Sequence, residues 1–175
     1  MEKFLLIGAI GIATVGAEED VRGGRIPNQL TYSGLLVALA VRSLVSGLPG
    51  FEDGIVGMLA GGGIFYLLFL LGGMGGGDVK LMAAVGAWAG TAHTVEILIA
   101  AAIAGGFLAI CSMLFHGQVR ITLLNTVELI RHHLTTGIQP HPVLNVREPG
   151  NMRLPYALAI ALGTLYCLGR TLSWR

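Results

Sequence analysis

Charged positions divide the chain into six apolar stretches: Phe4–Ala17, Leu30–Leu48, Gly54–Gly77, Val79–Val95, Ile97–Phe115 and Leu154–Gly169. A helix needs about 20 residues to cross ~30 Å of hydrocarbon, and the third and fifth stretches meet that length without a charge. The second carries one charge, Arg42, which either snorkels to the outer interface or pairs with another helix. The first, fourth and sixth are short, which implies little tilt, a thinned bilayer or partial re-entry. The pattern predicts an all-α, polytopic membrane bundle of about six transmembrane helices, a single domain over residues 1–175. The first stretch has a rival reading as a cleaved signal: Lys3, an apolar run, then Val15-Gly16-Ala17. Glu2 beside a lone Lys3 weakens that reading.

The longest polar interval, 116–153, is patterned. Leu123, Leu124, Val127, Ile130 and Leu134 recur at three- and four-residue spacing, with Asn125, Glu128, Arg131 and His132 opposite. That spacing predicts an amphipathic helix lying in the headgroup plane or docked on the bundle. Pro140, Pro142 and Pro149 stop it, which makes 135–150 a cytosolic loop.

Composition agrees with a lipid solvent. Hydrophobic residues are 54% and charged residues 12%, the latter about half of the ~25% usual in soluble domains. A net charge of +1 offers no basic face for nucleic acid. Six crossings with the N-terminus outside place Arg22, Arg25, Lys80, Arg120, Arg131, Arg147 and Arg153 within, seven of the eleven Lys and Arg residues, which the positive-inside rule favours. Cys111 and Cys167 read as small buried hydrophobes, and no C-x-x-C is present to form a thiolate zinc site. His132, His133 and His141 show no metal spacing, and His93 and His116 sit at stretch ends, so no metal and no cofactor are expected.

Glycine is concentrated at special places. Gly57-x-x-x-Gly61 and Gly105-Gly106 are small-residue surfaces for close helix approach. Gly72-Gly-Met-Gly-Gly-Gly77 is different, because five glycines in six residues melt a helix at about 1 kcal/mol each. Unwound backbone at membrane depth belongs in protein or against a wet cavity, and this run ends in Asp78. It lacks the G-K-[ST] of a phosphate loop; a plain loop with a solvated aspartate is the bland alternative. The second acidic centre, Glu18-Glu19-Asp20, leads through Arg22 and Arg25 into Ile26-Pro27-Asn28, with Asn28 suited to cap the second helix. Its bland reading is a hydrated loop. Asp20 and Asp78 both fall at the inner boundary, and two adjacent carboxylates would share a proton, one acting as base on water and the other as acid on a carbonyl. Spacing alone leaves open whether they meet.

The D-x-R-x-x-R-I-P-N segment, Asp20 to Asn28, resembles the first active-site segment of the type IV prepilin peptidases. Gly75-Gly-Gly77-Asp78-Val-Lys80-Leu81 is similar to their second, the G-x-G-D motif shared with other intramembrane aspartyl proteases. The late Leu154-Pro155-Tyr156 before a final stretch also resembles that family, so the likeness runs from about Asp20 to Gly163. It implies Asp20 and Asp78 as catalytic aspartates, with Gly75 and Gly77 shaping the site beside Lys80, Arg22, Arg25, Pro27 and Asn28. Bifunctional members carry an added cytosolic portion with paired C-x-x-C motifs and methylate the new N-terminus. This chain resembles the short peptidase-only form of Flp/Tad pili, and also the archaeal preflagellin peptidases, so cleavage without methylation is expected. The implied substrate is a prepilin-like protein with a basic leader and an apolar helix, cut in the bacterial inner membrane on the cytoplasmic side. Other pilus or secretion components are possible partners, besides lipid. Glu18 and Glu19 meet the basic leader or remain solvated, and Gly76 lies where an extended substrate segment could pair. Lys80 either tunes Asp78 or faces headgroups. Two readings compete with the peptidase: an inactive scaffold that holds pilin subunits, and a small channel or carrier using Asp78.

Overall fold

The computed structural model describes residues 2–117, 119–137, 139, 144 and 155–173, and among them the chain is all-α. Five helices follow in order: α1 (Glu2–Gly23), α2 (Asn28–Leu70), α3 (Gly76–Phe115), α4 (Val119–Thr136) and α5 (Tyr156–Ser173). Two of them, α2 and α3, are long and apolar enough to cross a membrane. Apolar side chains cover much of the outside, Leu44 and Phe115 among the most exposed at 87% and 89%. A surface of that kind suits lipid and not water.

Neither α2 nor α3 is continuous. Gly47 (φ 64°, ψ −150°) breaks α2, and Gly90 (φ 77°, ψ 175°) breaks α3. Positive φ favours glycine at both points. The first break falls at the end of the second apolar stretch, as the charges suggested. The second does not: α3 breaks at Gly90, ahead of Glu96, where the charge pattern had placed the boundary.

One ion pair pins both breaks. The Arg42 guanidinium pairs with Asp53 and donates to the Gly50 carbonyl (3.2 Å) and the Trp88 carbonyl (3.1 Å). Asp53 accepts the Thr91 N–H at 3.0 Å. The Thr94 hydroxyl donates to the Gly90 carbonyl at 2.6 Å. Backbone groups orphaned by the breaks thus find partners, as buried polar groups must. Arg42 is buried at 6% exposure, so it pairs with neighbouring backbone and Asp53 and does not snorkel.

The first half of α3 is the core. Leu81, Met82 and Ala84 to Gly90 are all buried, and α3 touches each of the other four helices. Glycine brings the neighbours close: a Cβ on Gly57 would overlap the Gly86 carbonyl, and one on Gly61 would lie 2.9 Å from the Met82 carbonyl. The small-residue reading of that pair is therefore realised as α2–α3 packing. Gly105 accommodates the Tyr156 ring, which also meets Phe65 edge-on with centroids 5.6 Å apart.

The amphipathic helix expected over 123–134 is present as α4, extended at both ends. It has no buried residue and touches only α3 among the described elements, leaving its apolar face open. Most of the 135–150 loop, with Pro140, His141, Pro142 and Pro149, lies outside the described residues, as do Arg147, Arg153 and Leu154.

Candidate active site

Asp20 stands in the last turn of α1. That helix ends at Gly23, and Gly24 just beyond it (φ 60°) returns its N–H to the Asp20 carbonyl at 2.8 Å. This is the glycine-terminated end that two successive glycines encode. The Asp20 carboxylate accepts the Ala157 N–H, in the first turn of α5. Amides at a helix start have no partner within the helix and favour negative charge, so α5 holds Asp20 in place.

Asp78 stands in the first turn of α3. Its Oδ2 reaches back to the Gly75 N–H at 3.3 Å, as an acidic side chain three positions into a helix can. Its Oδ1 is buried with no hydrogen-bond partner among the described residues. The charge of Asp20 acts on Asp78, and Asp78 in turn acts on the Tyr156 hydroxyl. Three helices therefore converge: α1 and α3 each bring a carboxylate, and α5 brings Tyr156 and the Ala157 amide.

The glycine run is less unwound than expected. Gly72 (φ 78°) stands in a turn, but Gly76 and Gly77 begin α3. The cap that Asp78 makes on Gly75 offsets their poor helix propensity. Gly77 packs closely on Ile26, since a Cβ there would lie 3.3 Å from the Ile26 Cβ. Gly75 is similarly tight against Asp78 Oδ2, at 3.1 Å.

Asn28 does not cap α2. Pro27 (φ −62°, ψ 133°) holds the cap position without a side-chain bond. The Asn28 Oδ1 instead accepts the Lys80 Nζ at 2.8 Å, while that ammonium lies 5.5 Å from the centre of the Tyr32 ring. Lys80 is thus engaged with Asn28 and Tyr32. The two motifs clasp each other through Ile26 on Gly77 and Asn28 on Lys80, which brings Asp20 and Asp78 together.

Glu18 is exposed and pairs with Arg22 at 2.9 Å. Glu19, Arg25 and Pro27 are exposed. A groove of about 410 Å³ begins at Glu18, Val21 and Arg22 and runs between α1 and α5 past Thr14 and Leu165. Ala157 and Tyr156 are the site residues that motif reading did not assign; Pro155, which sets the start of α5, was their signal in the sequence.

A family model described as the type IV leader peptidase family matches residues 7–110. Three similar relatives are named prepilin leader peptidase/N-methyltransferase. That of Aeromonas hydrophila is 35% identical over 92 aligned residues, covering 49% of this chain and 31% of the relative. That of Escherichia coli K12 is 32% identical over 111, covering 59% and 49%. That of Burkholderia pseudomallei 1026b is 31% identical over 108, covering 58% and 34%. The chain therefore spans between about a third and a half of the length of these relatives. No solved structure matches it. The matched stretch takes in more than half of the chain and both aspartate motifs, and on that ground the chain belongs to the type IV leader peptidase family.

Proposed function

We propose that this protein is an intramembrane aspartyl endopeptidase that removes the short leader of prepilin-like proteins at the inner face of the bacterial inner membrane. The observation that carries this reading is the approach of Asp20 and Asp78 from separate helices, 58 positions apart in sequence, in a family of leader peptidases. Desolvated neighbouring carboxylates share one proton. The ionised one takes a proton from water, whose oxygen attacks the scissile carbonyl carbon, while the other protonates the carbonyl oxygen. The resulting diol collapses as the proton returns to the leaving amine. No covalent enzyme intermediate is needed.

The groove between α1 and α5 suits the apolar segment that follows the cut, and Glu18 at its mouth suits a basic leader. We assign to these residues leader cleavage and no N-methylation, as in the Flp-type pilus peptidases. The breaks at Gly47 and Gly90 support six crossings, since α2 and α3 then each supply two.

The test is processing of a co-expressed prepilin-like protein in membranes, followed by mobility and by sequencing the new N-terminus. Asp20→Asn and Asp78→Asn are each expected to lower cleavage by at least about 10²–10⁴-fold, the usual contribution of a general acid or base. Unchanged processing by either variant, inserted at wild-type levels, would remove the dyad and favour a scaffold or channel.

A further inference from the structure

At the other end of α1 and α5 from the aspartates lies a second cluster of reactive side chains. His93 and Glu96 stand one turn apart on α3, just past the Gly90 break, and face Cys167 on α5. The Cys167 Sγ lies 3.6 Å from His93 Nδ1 and 3.4 Å from Glu96 Oε2, and those two atoms are 3.8 Å apart. Tetrahedral zinc with bonds of about 2.3 Å to sulfur and about 2.0–2.2 Å to nitrogen and oxygen needs donors roughly 3.3–3.6 Å apart. The three separations need little adjustment to meet that. Cys167 is fully buried, and the His93 and Glu96 side chains are 19% and 17% exposed. The donors are thus fixed by packing yet open on one side, where a fourth ligand could enter.

The surroundings are those of a ligating histidine. With Nδ1 turned to the cluster, Nε2 lies on the side of the Glu2 carboxylate, 3.9 Å away. Arg170 holds the Glu96 carboxylate, its Nη2 2.6 Å from Oε2. A carboxylate oxygen has a second lone pair, so that bond orients Glu96 without using up its donor capacity.

We propose that His93, Glu96 and Cys167 form a binding site for a borderline-soft divalent cation of the zinc class, joining α3 to α5. A thiolate, an imidazole and a carboxylate select such an ion over magnesium or calcium, which want oxygen. On binding, the Cys167 thiol forms its bond to the metal and releases its proton to bulk water. The site is distinct from the aspartate pair and is tested without reference to cleavage.

Purified protein in detergent, stripped with chelator, is titrated with Co²⁺. The wild type is expected to develop a thiolate-to-cobalt charge-transfer band with tetrahedral d–d absorption, reversed by Zn²⁺ and not by Mg²⁺. Cys167→Ser should remove the charge-transfer band, and His93→Gln should remove the tetrahedral pattern. Cys111→Ser should leave both intact. Variants are compared once their helical content and unfolding midpoints match the wild type, and His93→Gln serves if Cys167→Ser does not fold. Absence of the band in the wild type at saturating Co²⁺, or its persistence in Cys167→Ser, would overturn the site in favour of a hydrogen-bonded cluster without metal.

Discussion

Single glycines decide how closely this molecule can pack, and they fall into two kinds. Gly57 and Gly86 face each other across α2 and α3 so tightly that a Cβ on either would meet backbone, whereas Gly63 and Gly106 have nothing within 4 Å. Backbone cannot swing aside as a side-chain end can. Gly57→Ala is therefore expected to destabilise the bundle by about 1–3 kcal/mol, the usual cost of overpacking. Gly63→Ala should be neutral, or stabilise by up to about 1 kcal/mol through helix propensity. Thermal unfolding in detergent separates the two, and equal effects would mean that the α2–α3 approach is looser than described. At this scale the aspartates were legible as motifs, because short spacing is written in the sequence. The Ala157 amide and the Asn28–Lys80 bond were not, because each joins residues far apart in the chain and depends on where α5 and α2 begin.

Elements were legible where charge marks an end and illegible where charge is neutralised inside. Glu96 resembled a boundary between two stretches, yet Arg170 satisfies it and the helix continues through it. Asp53 and Arg42 likewise spend their charge on each other and on the backbone freed at Gly47 and Gly90. The true break in α3 is a glycine with positive φ, which nothing in a run of small apolar residues singles out. The pair makes a sharp prediction for the elements it joins. Arg42→Met removes a donor from the Gly50 and Trp88 carbonyls and leaves Asp53 without its partner, and should cost about 3 kcal/mol, on the scale of two buried groups unpaired. Arg42→Lys keeps the charge but loses the fork, so it should recover only part of the loss. Asp53→Asn still offers an oxygen to the Thr91 N–H and should be the mildest of the three. Unfolding midpoints in that order would support the clasp, and full stability of Arg42→Met would remove it.

The proximity of Asp20 and Asp78 constrains the whole molecule more than any hydropathy count does. Asp20 lies just before α2 in the chain and Asp78 just after it, and the charge of Asp20 is felt at Asp78. A helix that crossed the bilayer once between them would leave them on opposite sides. On the proposed six crossings α2 goes out and returns, and the turn-round is available at Gly47, about 28 Å from its start at 1.5 Å per residue. The same reasoning extends to α5, whose first turn meets Asp20 and so begins on the aspartate side. Six apolar stretches were visible in the sequence, and the proposed alternation of six crossings is the arrangement that keeps the two aspartates on one side. Added cysteines in a Cys111→Ser background, where the remaining Cys167 is buried, test it with a membrane-impermeant maleimide. Arg25→Cys and Gly73→Cys flank α2 at exposed positions and should react from one side, the cytoplasm, becoming accessible only after lysis. Leu48→Cys, next to the break and 68% exposed, and Ser173→Cys at the far end of α5 should react in intact cells. Labelling of Arg25→Cys and Gly73→Cys from opposite faces would mean a single crossing by α2, and no arrangement of the bundle could then bring the two aspartates together.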